Sequence, residues 1–225
     1  MPDRCLLYYI TDRTQFPGDE PDRRRALRTK IAEAARANIQ YIQLRERDLS
    51  ARELEQLARE AAHIIQELRT ENRELRTRLL INSRTDIALT TGADGVHLRS
   101  DDIAAFEARS VWTQTLARSS QPVARSPVIA VSCHTRADVV RAQSQGADFA
   151  VFAPVFEKKD NPAISPSGLA ALREACQAKI PVLGLGGVTL DNADSCMKAG
   201  AAGIAAIRLF QENRIEDVVR ALRVL

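Results

Sequence analysis

Along the chain, short runs rich in branched and aromatic residues alternate with longer stretches in which apolar side chains return every three or four positions. The short runs fall at about residues 6–11, 41–45, 79–82, 95–97, 128–132, 149–153, 182–186 and 203–207, and the later ones are apolar throughout, as buried parallel strands are. The clearest helical stretch is 51–68. Leu54, Leu57, Ala58, Ala61, Ile64, Ile65 and Leu68 share one face, and Arg52, Glu55, Arg59, Glu60 and Glu67 the other. Ser50 followed by Glu53 forms a capping-box pattern at its start. Thr135, Ser167 and Thr189 mark three further helix starts, and Gly146 and Gly200 supply stops. Two irregular stretches stand out, expected as a surface insertion (110–126) and a site loop (157–166).

Eight strand–helix repeats predict an α/β chain folded as a single (β/α)8 TIM barrel spanning residues 1–225. An open dinucleotide-binding sheet would typically carry Gly-x-Gly-x-x-Gly after its first strand, and none stands there.

Composition narrows the function classes. The 45% apolar content is ordinary for a globular chain, and no run approaches the roughly 20 apolar residues of a membrane span. The opening Met1-Pro2-Asp3-Arg4 lacks the flanks of a signal peptide, so a cytoplasmic protein without membrane association is expected. Cys5, Cys133, Cys176 and Cys196 are scattered, without zinc-ligand spacing, and are read as reduced thiols. A net charge of +3 with 4% aromatics argues against a nucleic-acid partner.

In a barrel, polar residues at strand C-termini share one mouth. Those ends carry Arg45 and Arg47, Asn82, Ser132 and His134, the Lys158-Lys159 pair, Gly186-Gly187, and Ile207-Arg208. Arginines there offer forked donors to phosphate oxygens, and a glycine pair leading into a helix lets backbone N–H groups approach a phosphate. The expected partner is therefore a small phosphorylated substrate. His134 is the candidate general acid/base. His97 is expected as a core or supporting group, and His63 as an uninvolved helix residue. Asp101 and Asp102 suit either a magnesium ion or a helix N-terminus. The state of association is left open, with a homo-oligomer compatible.

Taken together, the motifs resemble the thiamine phosphate synthase/TenI family. They are Tyr9-Ile10-Thr11-Asp12, Gln43 to Arg47, Leu80-Ile81-Asn82, Ala93 to Leu98 with Asp102, Val131 to Thr135, Gly146-Ala147-Asp148, Pro154-Val155-Phe156, Gly186-Gly187-Val188 and Ala199 to Gly203. They run in family order over nearly the whole chain. The resemblance implies one of two chemistries. A synthase joins hydroxymethylpyrimidine pyrophosphate to a thiazole phosphate with magnesium; a TenI-type tautomerase aromatises a carboxythiazole phosphate by proton transfer and needs no cofactor.

On the synthase pattern, Arg45 and Asn82 match pyrophosphate-side positions, Ser132 the strand-five serine, Asp102 one magnesium aspartate, and Gly187 and Ile207 the thiazole-phosphate backbone. Ser83 replaces the other magnesium aspartate, Arg47 replaces a lysine, and Glu157-Lys158-Lys159-Asp160 replaces a Thr-x-Thr-Lys loop. Arg45-Glu46-Arg47, Ser83 and His134 look like the TenI branch, so the tautomerase is the first expectation. On that reading His134 relays the proton, Gly187, the Ile207 segment and Arg208 hold the phosphate, and Arg45 or Arg47 faces the carboxylate. The synthase is the alternative, and a non-catalytic ligand-binding regulator the second.

Overall fold

The computed structural model describes residues 5–118, 126–157 and 165–225. Eight parallel strands form a closed barrel in chain order: β1 (Leu6–Ile10), β2 (Tyr41–Leu44), β3 (Arg78–Asn82), β4 (Gly95–Leu98), β5 (Val128–Cys133), β6 (Phe149–Phe152), β7 (Val182–Gly184) and β8 (Gly203–Ala206). Closure runs from Leu6↔Gly203 to Tyr9↔Ala206. At Gly203 a Cβ would lie 2.0 Å from the Leu6 carbonyl oxygen, so β8 reaches β1 through a residue that has no side chain.

The helices are α1 (Glu20–Arg36), α2 (Ala51–Glu71), α3 (Thr85–Thr91), α4 (Ala105–Arg118), α5 (Arg136–Ser144), α6 (Gly168–Ala175) and α7 (Leu190–Lys198), followed by α8 (Arg208–Gln211) and α9 (Ile215–Leu222). The α2 start has the expected capping box: the Glu53 N–H donates to Ser50 Oγ at 3.3 Å, and the Ser50 N–H to Glu53 Oε2 at 3.0 Å. Thr135 and Asp138 do the same for α5. Ser167 precedes α6 but makes no side-chain cap.

The strand period of two divides the side chains between two cores. Tyr8, Ile10, Leu80, Val128, Ala130, Phe149, Val151, Leu183 and Ala205 fill the barrel interior. Their chain neighbours, among them Leu7, Tyr9, Ile42, Leu79, Ile81 and Ile129, pack outward against the helices. Tyr41 meets Phe149 and Tyr8 with ring centroids 4.6 and 5.9 Å apart, an aromatic plug that makes the lower barrel a packed core rather than a pore. Extending the interior parity above the plug reaches Gln43, Arg45 and Arg47, Asn82 and Arg84, His97 and Arg99, Ser132 and His134, Gly187, and Ile207. One alternation rule thus supplies both the floor and the mouth.

The surface insertion expected over 110–126 is corrected as far as Arg118, where the chain is helical. Ala105, Ala108 and Trp112 are buried along one side of α4. The Thr113 and Thr115 hydroxyls donate back to the carbonyls of Arg109 and Val111, four residues earlier, so the polar residues that suggested a loop are satisfied within the helix. Residues 119–125 lie outside the described residues.

Candidate active site

The strand C-termini surround one cavity of about 940 Å³. Arg45, Arg47, Asn82, Ser132, His134, Gly187, Ile207 and Arg208 all line it, so the structure brings these sequence-predicted residues together. Lys158 and Lys159 lie outside the described residues. Arg84, Arg99, His97 and Gln43 line it as well.

One wall is cationic. Arg45 follows β2 and is half-buried; burial, then the nearby charge of Arg47, lowers its pKa from the ordinary guanidinium value. Desolvation of this cation is costly, and an incoming anion would offset that cost. Arg84 and Arg99 stand farther out, each forked onto a local carboxylate, Asp86 and Asp101.

Beneath this wall lies a buried network. Thr11 Oγ1 donates to Glu46 Oε1 at 2.5 Å and accepts the Arg45 N–H at 3.0 Å. The other Glu46 oxygen takes the Arg13 backbone N–H at 3.0 Å and Arg13 Nη1 at 3.2 Å. Arg13 is also forked onto Asp48 at 2.7 and 2.8 Å. Burial pushes the Glu46 carboxyl up, against the pull of Thr11 and Arg13. This network ties β1 to the Arg45–Arg47 segment from both sides. Thr11 and Glu46 stood in the motifs, but their pairing depends on β1–β2 register, which composition does not reveal.

The opposite wall is made from backbone. Gly187 has φ +65°, and a Cβ there would lie 2.3 Å from the Glu157 carbonyl oxygen, so glycine is required twice over. The Gly186 carbonyl accepts the Phe156 N–H at 3.0 Å, which turns the N–H of the same trans peptide the opposite way. Asn192 Nδ2 holds the Gly187 carbonyl at 3.0 Å, and the Thr189 N–H donates to Asn192 Oδ1 at 2.8 Å, locking this turn onto the first turn of α7.

Between the walls stand the hydrogen-bonding side chains. His134 Nδ1 lies 2.8 Å from the Ala153 carbonyl oxygen. A carbonyl can only accept, so Nδ1 carries the proton, and in the neutral ring Nε2 keeps a lone pair. Gln43 Nε2 donates to Asn82 Oδ1 at 2.8 Å, while the buried Gln43 Oε1 has no partner among the described residues. An orphaned acceptor lining a mouth invites a ligand N–H or O–H, a feature that motif reading passed over.

The metal expectation for Asp102 fares differently. Asp102 does not line the main cavity; it borders a smaller hollow beside it, and its Oδ2 accepts the Arg99 N–H at 2.7 Å. Asp101 is engaged by Arg99, and Ser83 brings a hydroxyl where a second carboxylate would stand. No cluster of three or more His, Cys, Asp or Glu side chains suited to a metal occurs among the described residues. Magnesium is commonly held by one or two carboxylates together with substrate phosphates, and Asp101 at the mouth with Asp102 beside it are the carboxylates that would hold it here.

A closed eight-stranded parallel barrel with its polar groups gathered at the strand C-termini defines the (β/α)8-barrel enzyme class. Within that class, the chain belongs to the thiamine monophosphate synthase family, which it matches over residues 7–210. It is 38% identical over 203 residues to a putative thiamine-phosphate synthase of Geobacter sulfurreducens, covering 89% of this chain and 84% of that one. It is 35% identical over 222 residues to the thiamine-phosphate synthase of Syntrophomonas wolfei, covering 96% and 94%. Among solved structures, it is similar to the thiamine phosphate pyrophosphorylase of Pyrococcus furiosus, with a TM-score of 0.75, 25% identity and coverage of 99% and 95%. Among the described residues, no helix is long and apolar enough to cross a membrane.

Proposed function

We propose that the protein is a thiamine-phosphate synthase, which joins hydroxymethylpyrimidine pyrophosphate to a thiazole phosphate and releases pyrophosphate. The observation that carries this reading is the pair of facing walls in one cavity, cationic after β2 to β4 and glycine-lined after β7, with room for two phosphorylated molecules. The synthase names of the relatives support it, and they reverse the order expected from the motifs, which had put the tautomerase first.

In this reading Gly187 N–H and the Ile207–Arg208 turn hold the thiazole phosphate, and Arg45, Arg47 and Asn82 hold the pyrophosphate. Gln43 Oε1 accepts a hydrogen bond from the pyrimidine, orienting its ring. The carbon–oxygen bond to pyrophosphate breaks with its electron pair leaving on oxygen, and the thiazole nitrogen closes on the methylene carbon. Arginines aimed at the departing oxygens stabilise the charge that develops there. Magnesium, if bound, would be shared between the substrate pyrophosphate and the Asp101–Asp102 carboxylates and would add to this neutralisation.

A second reading, the TenI-type tautomerase, is favoured by one observation: the Ala153 carbonyl leaves His134 Nε2 able to take a proton at the mouth. Purified protein supplied with both synthase substrates, with and without magnesium, is expected to yield thiamine phosphate and pyrophosphate. Absence of product under both conditions, with turnover of the carboxythiazole tautomer, would replace the first reading by the second. His134→Asn would then abolish that turnover while leaving ligand binding intact.

A further inference from the structure

Directly above the aromatic plug, three polar side chains form a chain from the core to the mouth. Tyr8 Oη lies 2.9 Å from His97 Nδ1, and His97 Nε2 lies 2.7 Å from Ser132 Oγ. Tyr8 and His97 are 0% and 2% exposed, whereas Ser132 lines the cavity. The register of the barrel creates the alignment: His97 sits opposite Asn82 on β3 and Ala130 on β5, and Ser132 is the next interior position of β5.

Proton counting gives this chain a direction. Among the described residues, the Tyr8 hydroxyl has no hydrogen-bond partner besides His97, and the Tyr8 ring packs against the Tyr41 and Phe149 rings. Were it to accept from Nδ1–H, its own proton would be buried without an acceptor, which costs roughly 1–3 kcal/mol. Tyr8 therefore donates to Nδ1. The proton of the neutral imidazole then lies on Nε2 and goes to Ser132 Oγ. The serine cannot return its own proton to Nε2, so its O–H is left to point at whatever occupies the mouth. Complete burial, with the Arg45 cation nearby, holds the His97 pKa down at about 3, so the ring stays neutral and this order does not invert near neutral pH.

We infer that Tyr8 and His97 are positioning residues that set Ser132 as a one-way hydrogen-bond donor to an anionic ligand in the mouth. The ligand assignment rests on the pyrophosphate side of the function proposed above; the proton order does not.

Two measurements test the inference. In protein carrying ¹⁵N-histidine, long-range ¹H–¹⁵N correlations are expected to show His97 protonated on Nε2 and bare on Nδ1, unchanged from about pH 5 to pH 8. Titration of the full chain with inorganic pyrophosphate is expected to weaken roughly 10-fold in Ser132→Ala and comparably in Tyr8→Phe, with no further loss in the double variant, since both act through one donor. Finding the Nδ1–H tautomer in the unaltered protein would overturn the proposal whether or not the variants fold. So would pyrophosphate affinity unchanged in folded Tyr8→Phe, or additive losses in the double variant. Failure of thiamine phosphate synthesis, with the tautomer and the non-additive losses intact, would remove the synthase reading alone.

Discussion

At the residue scale, Arg45 and Gly187 line opposite walls of the cavity and work by different means. Arg45 contributes a partly desolvated charge, so Arg45→Ala is expected to weaken pyrophosphate binding by roughly 10- to 150-fold, the range of a hydrogen bond to a charged group. Gly187 contributes a backbone direction. Gly187→Ala drives a methyl into the Glu157 carbonyl at a left-handed φ, and is expected to raise the thiazole phosphate dissociation constant at least tenfold while sparing pyrophosphate. Calorimetric titration of each variant with each ligand checks both. The two residues were legible in the sequence because each stands at a strand end in a recognisable motif. Asp102 was legible only as a residue type: one of its two oxygens accepts the Arg99 N–H, and no sequence pattern reports that turn.

At the scale of elements, β1 and β2 are coupled by the buried Thr11–Glu46–Arg13 network. Removing Glu46 leaves the Arg13 guanidinium with only its outer partners, Asp48 and Glu20, and strips the acceptor from the Arg13 backbone N–H and the Thr11 hydroxyl. Glu46→Ala is expected to lower stability by about 3 kcal/mol, measured by urea unfolding, and to loosen Arg45 as well. Strand positions were readable to within one or two residues, because apolar runs between capped helices leave few alternatives. Helix α4 was not, because Ser110, Thr113, Gln114 and Thr115 make it look like a loop. The Thr113 and Thr115 hydroxyls turn inward to the helix backbone, Ser110 Oγ accepts from Gln114 Nε2, and the buried side rests on the widely spaced Ala105, Ala108 and Trp112.

For the whole molecule, the barrel and its mouth follow from a single alternation of inward and outward side chains, and the same burial makes stability depend on pH. An exposed histidine in the unfolded chain titrates near 6.5, whereas His97 in the folded barrel titrates at about 3. Between those values the unfolded chain binds the extra proton, so the His97 contribution is complete above pH 6.5 and declines as the pH falls toward 3. The slope is at most about 1.4 kcal/mol per pH unit. The urea midpoint of the native protein should therefore fall more steeply between pH 6.5 and 4 than that of His97→Gln, and parallel curves would refute the assignment.

On this reading one mouth holds two phosphorylated ligands on facing walls. Its most direct test is titration of the protein with thiazole phosphate while inorganic pyrophosphate is held at saturation. Thiazole phosphate is expected still to bind, one per chain, with pyrophosphate retained; displacement of pyrophosphate in proportion to thiazole phosphate bound would mean a single shared anion site and refute the two-wall assignment.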